Sequence, residues 1–276
     1  MALDATHAII HNEGCDLHYC YKGTGPLLLF VPGGNGHGRQ FYQLMDRFAD
    51  RYTCATFDRR QMTASQVAVN KILNPYQQAR DIVAIIKALG FAKATIFGSS
   101  LGGLLTFVVA AEYPEIVEHM ISHEGASFPL LPDYPQVFEW TLSLIDMCNE
   151  KGWEAAHAEF RKMFKGYEPA KDGGVPRMKP EADNTINFWK NELLVATTFR
   201  PDLDRVKKNG VSVGLMRGVL SEDATYARCT YEQEKILECE RWDVPGHHTA
   251  FETQCDVFLP HMERMLDVLK KKASQA

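Results

Sequence analysis

The chain has 276 residues, of which 45% are hydrophobic and 24% charged, and its formal net charge is −5. These proportions are those of an ordinary folded domain rather than a disordered chain, and the acidic balance supplies no basic field for nucleic acid or an anionic membrane. No stretch reaches the roughly 18 apolar residues that span a bilayer, and the start, MALDATHAII, lacks a basic segment leading into an apolar one, so a cytoplasmic location is expected.

Three strand-like pieces open the chain, Ala8–Ile10, Leu17–Tyr21 and Leu27–Val31, separated by turn-prone residues at Asn12-Glu13-Gly14 and Lys22 to Pro26. Phe41, Leu44, Met45 and Phe48 then repeat at helical spacing, and Cys54–Phe57 returns as a strand ending at Asp58-Arg59-Arg60. Asn74-Pro75 predicts a helix start, Ile82, Val83, Ile85, Ile86 and Leu89 give that helix its apolar face, and Gly90 stops it. Ala94–Phe97 and His119–Ser122 are further strands. Alternation of short apolar strands with helices predicts a mostly parallel sheet covered on both faces.

After residue 125 the rhythm breaks. Residues 125–205 carry helical faces, at Leu142, Leu144, Ile145 and Met147, at Trp153, Phe160 and Met163, and at Ile186, Trp189, Leu193 and Leu194, with no convincing strand. A connector rich in Pro and Gly lies between the last two groups, at residues 169–176. Strands resume at Val211–Met216 and Glu240–Val244, and a helix over Val257–Leu269 closes the chain. The expected organisation is a core of residues 1–125 and 206–276 carrying a helical cap of residues 126–205.

One motif stands out. Residues 94–113 read ATIFGSSLGGLLTFVVAAEY, a strand, a Gly98-Ser99-Ser100-Leu101-Gly102 turn and a helix with Leu101, Leu104, Leu105, Val108 and Ala111 at its spacing. A serine held at so tight a turn needs small neighbours, and Gly98 and Gly102 supply the room. Ser99 does not fit the pattern, because Phe97 and Leu101 stand where the glycines are needed. Together with the PGGNG loop at residues 32–36, the FDRR strand end at 57–60 and the late PGHH loop at 245–248, this elbow resembles that of the α/β-hydrolase superfamily over nearly the whole chain. The resemblance implies an α/β-hydrolase fold, mostly parallel central sheet flanked by helices, with Ser100 as nucleophile.

A serine hydroxyl needs a base beside it and a third group to hold that base. Of ten histidines, only His247 and His248 lie in the loop directly after the last strand, where the superfamily keeps its catalytic histidine. His248 is preferred, since an aromatic, Phe251, follows three residues later and a helix after that, as in the superfamily's GGH-x-x-F loop. The acid has two candidate places. The usual Gly-x-x-Asp spacing after the strand that follows the cap falls on Ser221, with Glu222 and Asp223 one and two residues late; a second subgroup carries the acid just before the cap, which is Glu124. Glu124 is preferred over Asp223, because Ser221-Glu222-Asp223 also reads as a helix cap with first-turn acids. The oxyanion of the tetrahedral intermediate needs two backbone donors, expected from Leu101 and from Gly34, with Asn35 in reserve.

The His123-Glu124 pair ahead of the cap, with Trp189 inside it, is similar to lactone hydrolases that open the macrocyclic lactone zearalenone. That resemblance implies Glu124 as triad acid and Trp189 as a substrate contact. Trp189 also reads as a packing residue of a cap helix, as do Phe128, Trp140, Trp153 and Met163, and Arg59 and Arg60 read as structural ion-pair residues. The seven cysteines are scattered and odd in number, without C-x-x-C spacing, so they read as reduced thiols. No metal cluster or nucleotide motif is present, and no cofactor is expected. The expected activity is hydrolysis of a small-molecule ester or lactone by Ser100, His248 and Glu124 through a covalent acyl-enzyme. Hydrolysis of a carbon–carbon bond by the same triad, and a ligand receptor of the same fold, are the alternatives.

Overall fold

Strands β1 (Thr6–Asn12) and β2 (Cys15–Lys22) form an antiparallel hairpin. The two residues between them, Glu13 and Gly14, both take positive φ (44° and 76°), a turn whose twist matches that of the strands it joins. The hairpin begins a computed structural model that describes residues 3–168 and 181–273; the connector read at 169–176 lies outside the described residues.

From β3 (Leu27–Val31) the chain alternates as its sequence pattern predicts, through α1 (Tyr42–Phe48), β4 (Thr53–Phe57), α2 (Pro75–Ala88), β5 (Ala94–Ser99), α3 (Leu101–Glu112) and β6 (Val117–His123). The start of α2 is fixed locally: the Asn74 side chain accepts the N–H groups of Tyr76 and Gln77, and Pro75 fills the first turn, where no donor is missed. Five helices follow, α4 (Tyr134–Lys151), α5 (Trp153–Phe160), α6 (Ala182–Asn187), α7 (Leu193–Thr198) and α8 (Leu203–Lys208), with no strand among the described residues of this stretch. The core resumes with β7 (Val213–Gly218), α9 (Thr225–Leu237), β8 (Arg241–Val244), α10 (Ala250–Thr253) and α11 (Cys255–Ala273). Helix α8 packs on α3 and α9, so the last of the five sits with the core layer.

The eight strands form one sheet in the order β1-β2-β4-β3-β5-β6-β7-β8, antiparallel at the β1-β2-β4 edge and parallel from β4 to β8. Strand β3 shows why its sequence is continuously apolar. Leu27, Leu29 and Val31 face the cluster under α2 and α3, while Leu28 and Phe30 face the cluster under α1 and α11, so both sides of the strand are covered. Helix α3 is buried on every side from Leu101 to Ala111, which explains its lack of a polar face. No helix among the described residues is long and apolar enough to cross a membrane.

Candidate active site

Parallel strands carry their functional residues at their carboxyl ends, and β5, β6 and the loop after β8 deliver three side chains to one edge of the sheet. Ser100 follows β5 with φ 59° and ψ −125°, a conformation that costs an L-residue on the order of 1–3 kcal/mol. It is held there from both sides. Its N–H donates to the His123 carbonyl at 3.0 Å, and its carbonyl accepts from Leu104 and Ala126, each at 3.1 Å. The glycines of the motif are required by contact: a Cβ on Gly98 would stand 2.4 Å from the Gly102 carbonyl oxygen, and one on Gly102 would stand 2.1 Å from that of Val31.

Glu124 follows β6, also at positive φ (48°), and its carboxylate is wholly buried. One oxygen accepts the Gly218 N–H at 2.8 Å; the other meets His248 Nδ1 at 2.6 Å. Burial pushes the Glu124 carboxyl above its ordinary range, against the opposing pull of the neighbouring histidine, the Gly218 N–H and Arg217. The His248 ring is further fixed by Tyr226, centroids 4.1 Å apart, and by Phe164. With Nδ1 committed to the carboxylate, Nε2 is the atom that can serve a nucleophile, and Ser100 and His248 line one cavity.

The competing residues are placed elsewhere. Asp223 is exposed and pairs with Lys165, and Glu222 lies 3.7 Å from the same lysine. Neither caps a helix: α9 starts at Thr225, after Ala224, with no side chain on its first N–H groups. Ser221, where the usual spacing puts an acid, is buried. His247 Nδ1 accepts the Thr249 N–H at 3.2 Å and its Nε2 lies 3.3 Å from the Thr253 hydroxyl, which ties the ring into its own loop.

Gly34 and Leu101 both border the cavity. Leu101 is the first residue of α3, so its N–H has no acceptor within the helix. Gly34 is aimed indirectly. The Gly33 carbonyl accepts from Arg59 Nε at 3.0 Å and from the Gly36 N–H at 3.0 Å, and the Gly33–Gly34 peptide is trans and planar, so drawing its oxygen toward Arg59 turns the Gly34 N–H the opposite way. Arg59 is held in turn by Glu192, in a π-helical turn over Phe188–Glu192, through two bonds of 3.0 and 2.7 Å. Glu192 escaped the sequence reading. Its only mark there is an acid one turn from Trp189 and Phe188, beside Leu193 and Ala196, on a face otherwise apolar. Arg60, by contrast, pairs with buried Asp81 in the ordinary structural role.

The cavity has a volume of about 330 Å³. Phe128 and Met163, two of the ambiguous apolar residues, line it, together with Phe160, Phe164 and Phe188, which sequence reasoning did not single out for a site. Trp140 and Trp153 pack within the helices above. Trp189, onto which the lactone-hydrolase resemblance carries a substrate contact, sits one layer behind, edge-on to Phe160 at 5.8 Å, and borders a second cavity instead. Among the described residues no three His, Cys, Asp or Glu side chains are grouped to hold a metal ion.

Comparison with known proteins agrees with this architecture. The sequence profile described as the alpha/beta hydrolase fold matches residues 26–180. An uncharacterized hydrolase of Bacillus subtilis, YraK, is 25% identical over 264 residues, 94% of this chain and 95% of that protein. Epoxide hydrolase 1 of Caenorhabditis elegans is 28% identical over 184 residues, 63% of this chain and 45% of that protein. A thermophilic esterase from Thermogutta terrifontis superposes with a TM-score of 0.77 at 16% identity, over 96% of this chain and 99% of its own, a likeness of fold.

Proposed function

The chain belongs to the α/β-hydrolase fold family, and from that premise we propose that it is a serine hydrolase cleaving a carboxylic ester or lactone. The observation that carries the reading is the 2.6 Å contact between His248 and the buried Glu124, beside a cavity that both His248 and Ser100 line. In this mechanism Ser100 Oγ attacks the carbonyl carbon while His248 Nε2 takes its proton, and Glu124 holds the imidazole and stabilises the imidazolium that forms. The N–H groups of Leu101 and Gly34 receive the oxyanion. His248 then protonates the departing alkoxide, leaving an acyl ester on Ser100, and water deprotonated by the same ring frees the carboxylic acid.

The identity of the nucleophile narrows the substrate. Attack by a serine oxygen on an epoxide carbon gives an ether, which water does not release under these conditions; attack on a carbonyl gives an ester, which it does. Ser100 therefore supports carbonyl substrates over epoxides, whatever the likeness to an epoxide hydrolase. The test is labelling with a fluorophosphonate, with the adduct located by peptide mass spectrometry, alongside turnover of p-nitrophenyl acyl esters. Labelling at Ser100 with ester turnover is expected; a folded protein that neither labels nor turns over any ester would overturn the reading in favour of a ligand receptor.

A further inference from the structure

The cavity at Ser100 is rich in aromatic side chains, with Phe128, Phe160, Phe164, Phe188, Tyr226 and Phe251 on its walls. Its charge is unlike that of the chain. The sequence holds 35 acidic residues against 30 Lys and Arg, yet no Asp or Glu is among the described residues lining this cavity, and Glu124 is shut off behind His248. Arg161 is the one lining residue among those described that is cationic at every working pH.

Arg161 directly follows α5, one turn after His157, which lines the same cavity. Its guanidinium has no carboxylate, hydrogen-bond acceptor or ring as a partner among the described residues, whereas Arg39, Arg59, Arg60, Arg80 and Arg228 each hold a carboxylate. Glu159, two residues earlier, pairs with Lys162 instead. An arginine left unpaired at the rim of an apolar cavity without acids favours an anion there. A neutral occupant gains no such attraction, and the difference between the two is what discriminates them.

We propose that Arg161 is a specificity-determining residue that selects esters or lactones carrying a carboxylate remote from the scissile carbonyl, on an aromatic or otherwise apolar frame. The inference rests on the serine-hydrolase reading. Because Arg161 is exposed at the rim, solvent and salt screen its attraction, which sets the expected preference at about tenfold, the low end for a charge-assisted pair.

The test uses pairs of esters that set a free carboxylate against its methyl ester, each ratio being taken relative to the same pair's rates of hydroxide hydrolysis. On the acyl side these are mono-p-nitrophenyl glutarate and its methyl ester; on the leaving-group side, 4-acetoxybenzoate and methyl 4-acetoxybenzoate. In at least one pair the wild-type protein is expected to favour the anion about tenfold in kcat/KM at low ionic strength. The ratio should shrink in 0.5 M salt by roughly the screening of a surface pair, approach one in Arg161→Gln, and be partly kept in Arg161→Lys. A preference for the neutral ester in both pairs, or a ratio unchanged in Arg161→Gln, would overturn the inference. Failure of Ser100 to label, with no turnover of all four esters, would instead overturn the hydrolase reading and this inference with it.

Discussion

Arg59 and Glu192 form a two-bonded ion pair with both side chains wholly excluded from solvent, and the third guanidinium nitrogen binds the Gly33 carbonyl. The pair thus ties a helical turn between β6 and β7 to the glycine loop after β3, whose Gly34 N–H is the proposed oxyanion donor. Removing one partner of a buried pair strands a charge and costs about 3–5 kcal/mol, whereas replacing both by apolar residues is often close to neutral. Glu192→Gln is therefore expected to lower both the melting temperature and kcat. The double variant Arg59→Met with Glu192→Met should recover most of the stability and little of the kcat, because the Gly33 carbonyl then keeps only the Gly36 N–H and loses the buried guanidinium that fixes the Gly33–Gly34 peptide. Recovery of kcat in parallel with stability would show that the pair serves packing alone.

The strained conformation of Ser100 sets stability against chemistry. Ser100→Gly places at φ 59° a residue that tolerates it, and the folded protein should gain about 1 kcal/mol, read as a higher melting temperature, while ester turnover falls by several powers of ten. A melting temperature below that of Ser100→Ala would contradict the strain assigned to this turn.

The two acids are separable by activity. Glu124→Gln keeps the shape but alters the proton bond that orients His248, and turnover should drop by about 10⁴. Asp223→Asn loses a contact with exposed Lys165 and should stay within about twofold of wild type. Steady-state kinetics on both, with far-ultraviolet circular dichroism to check folding, decides between them.

Acid should destabilise the fold partly through His123. Its ring is fully buried among Phe97, Phe251 and Phe258, with Ser99 Oγ 3.1 Å from Nδ1, and burial pulls its pKa down from 6.5 to about 4. In the unfolded chain the ring takes a proton first as pH falls. The stability tied to neutral His123 is thus intact above pH 6.5 and lost progressively down to about pH 4. Glu124 acts with the opposite sign, since a raised carboxyl favours the fold at low pH, so the comparison must be between variants rather than of one protein. Urea midpoints between pH 7 and 4.5 should fall more steeply in wild type than in His123→Phe; equal slopes would exclude this role.

Local chemistry alone made much of the molecule legible. The Asn74-Pro75 helix start, the Glu13-Gly14 turn and the two-sided apolar strand β3 are each decided within a few residues, by capping, by backbone sterics and by side-chain alternation. Strand ends are less legible: β1 runs from Thr6 to Asn12, beyond its apolar Ala8–Ile10, because its outer residues are stabilised by pairing with β2 rather than by an apolar pattern of their own, whereas β7 and β8 begin later than their patterns predict, at Val213 and Arg241.

Ser100 is legible in the sequence because the strand, the glycines and the apolar helix of the elbow all lie within twenty residues, although the bonds to His123 and Ala126 that hold its backbone come from beyond them. The partner of His248 is not. Along the chain Asp223 is far nearer His248 than Glu124 is, and only the parallel pairing of β6 with β7, which sets Glu124 against the Gly218 N–H while Asp223 pairs with Lys165, decides for Glu124. The same holds for Arg59, Glu192 and Trp189. Whether a side chain reaches the cavity, stands behind it or holds the loop beside it depends on contacts between segments more than a hundred residues apart, and a one-dimensional pattern fixes the face of a helix but not what that face meets.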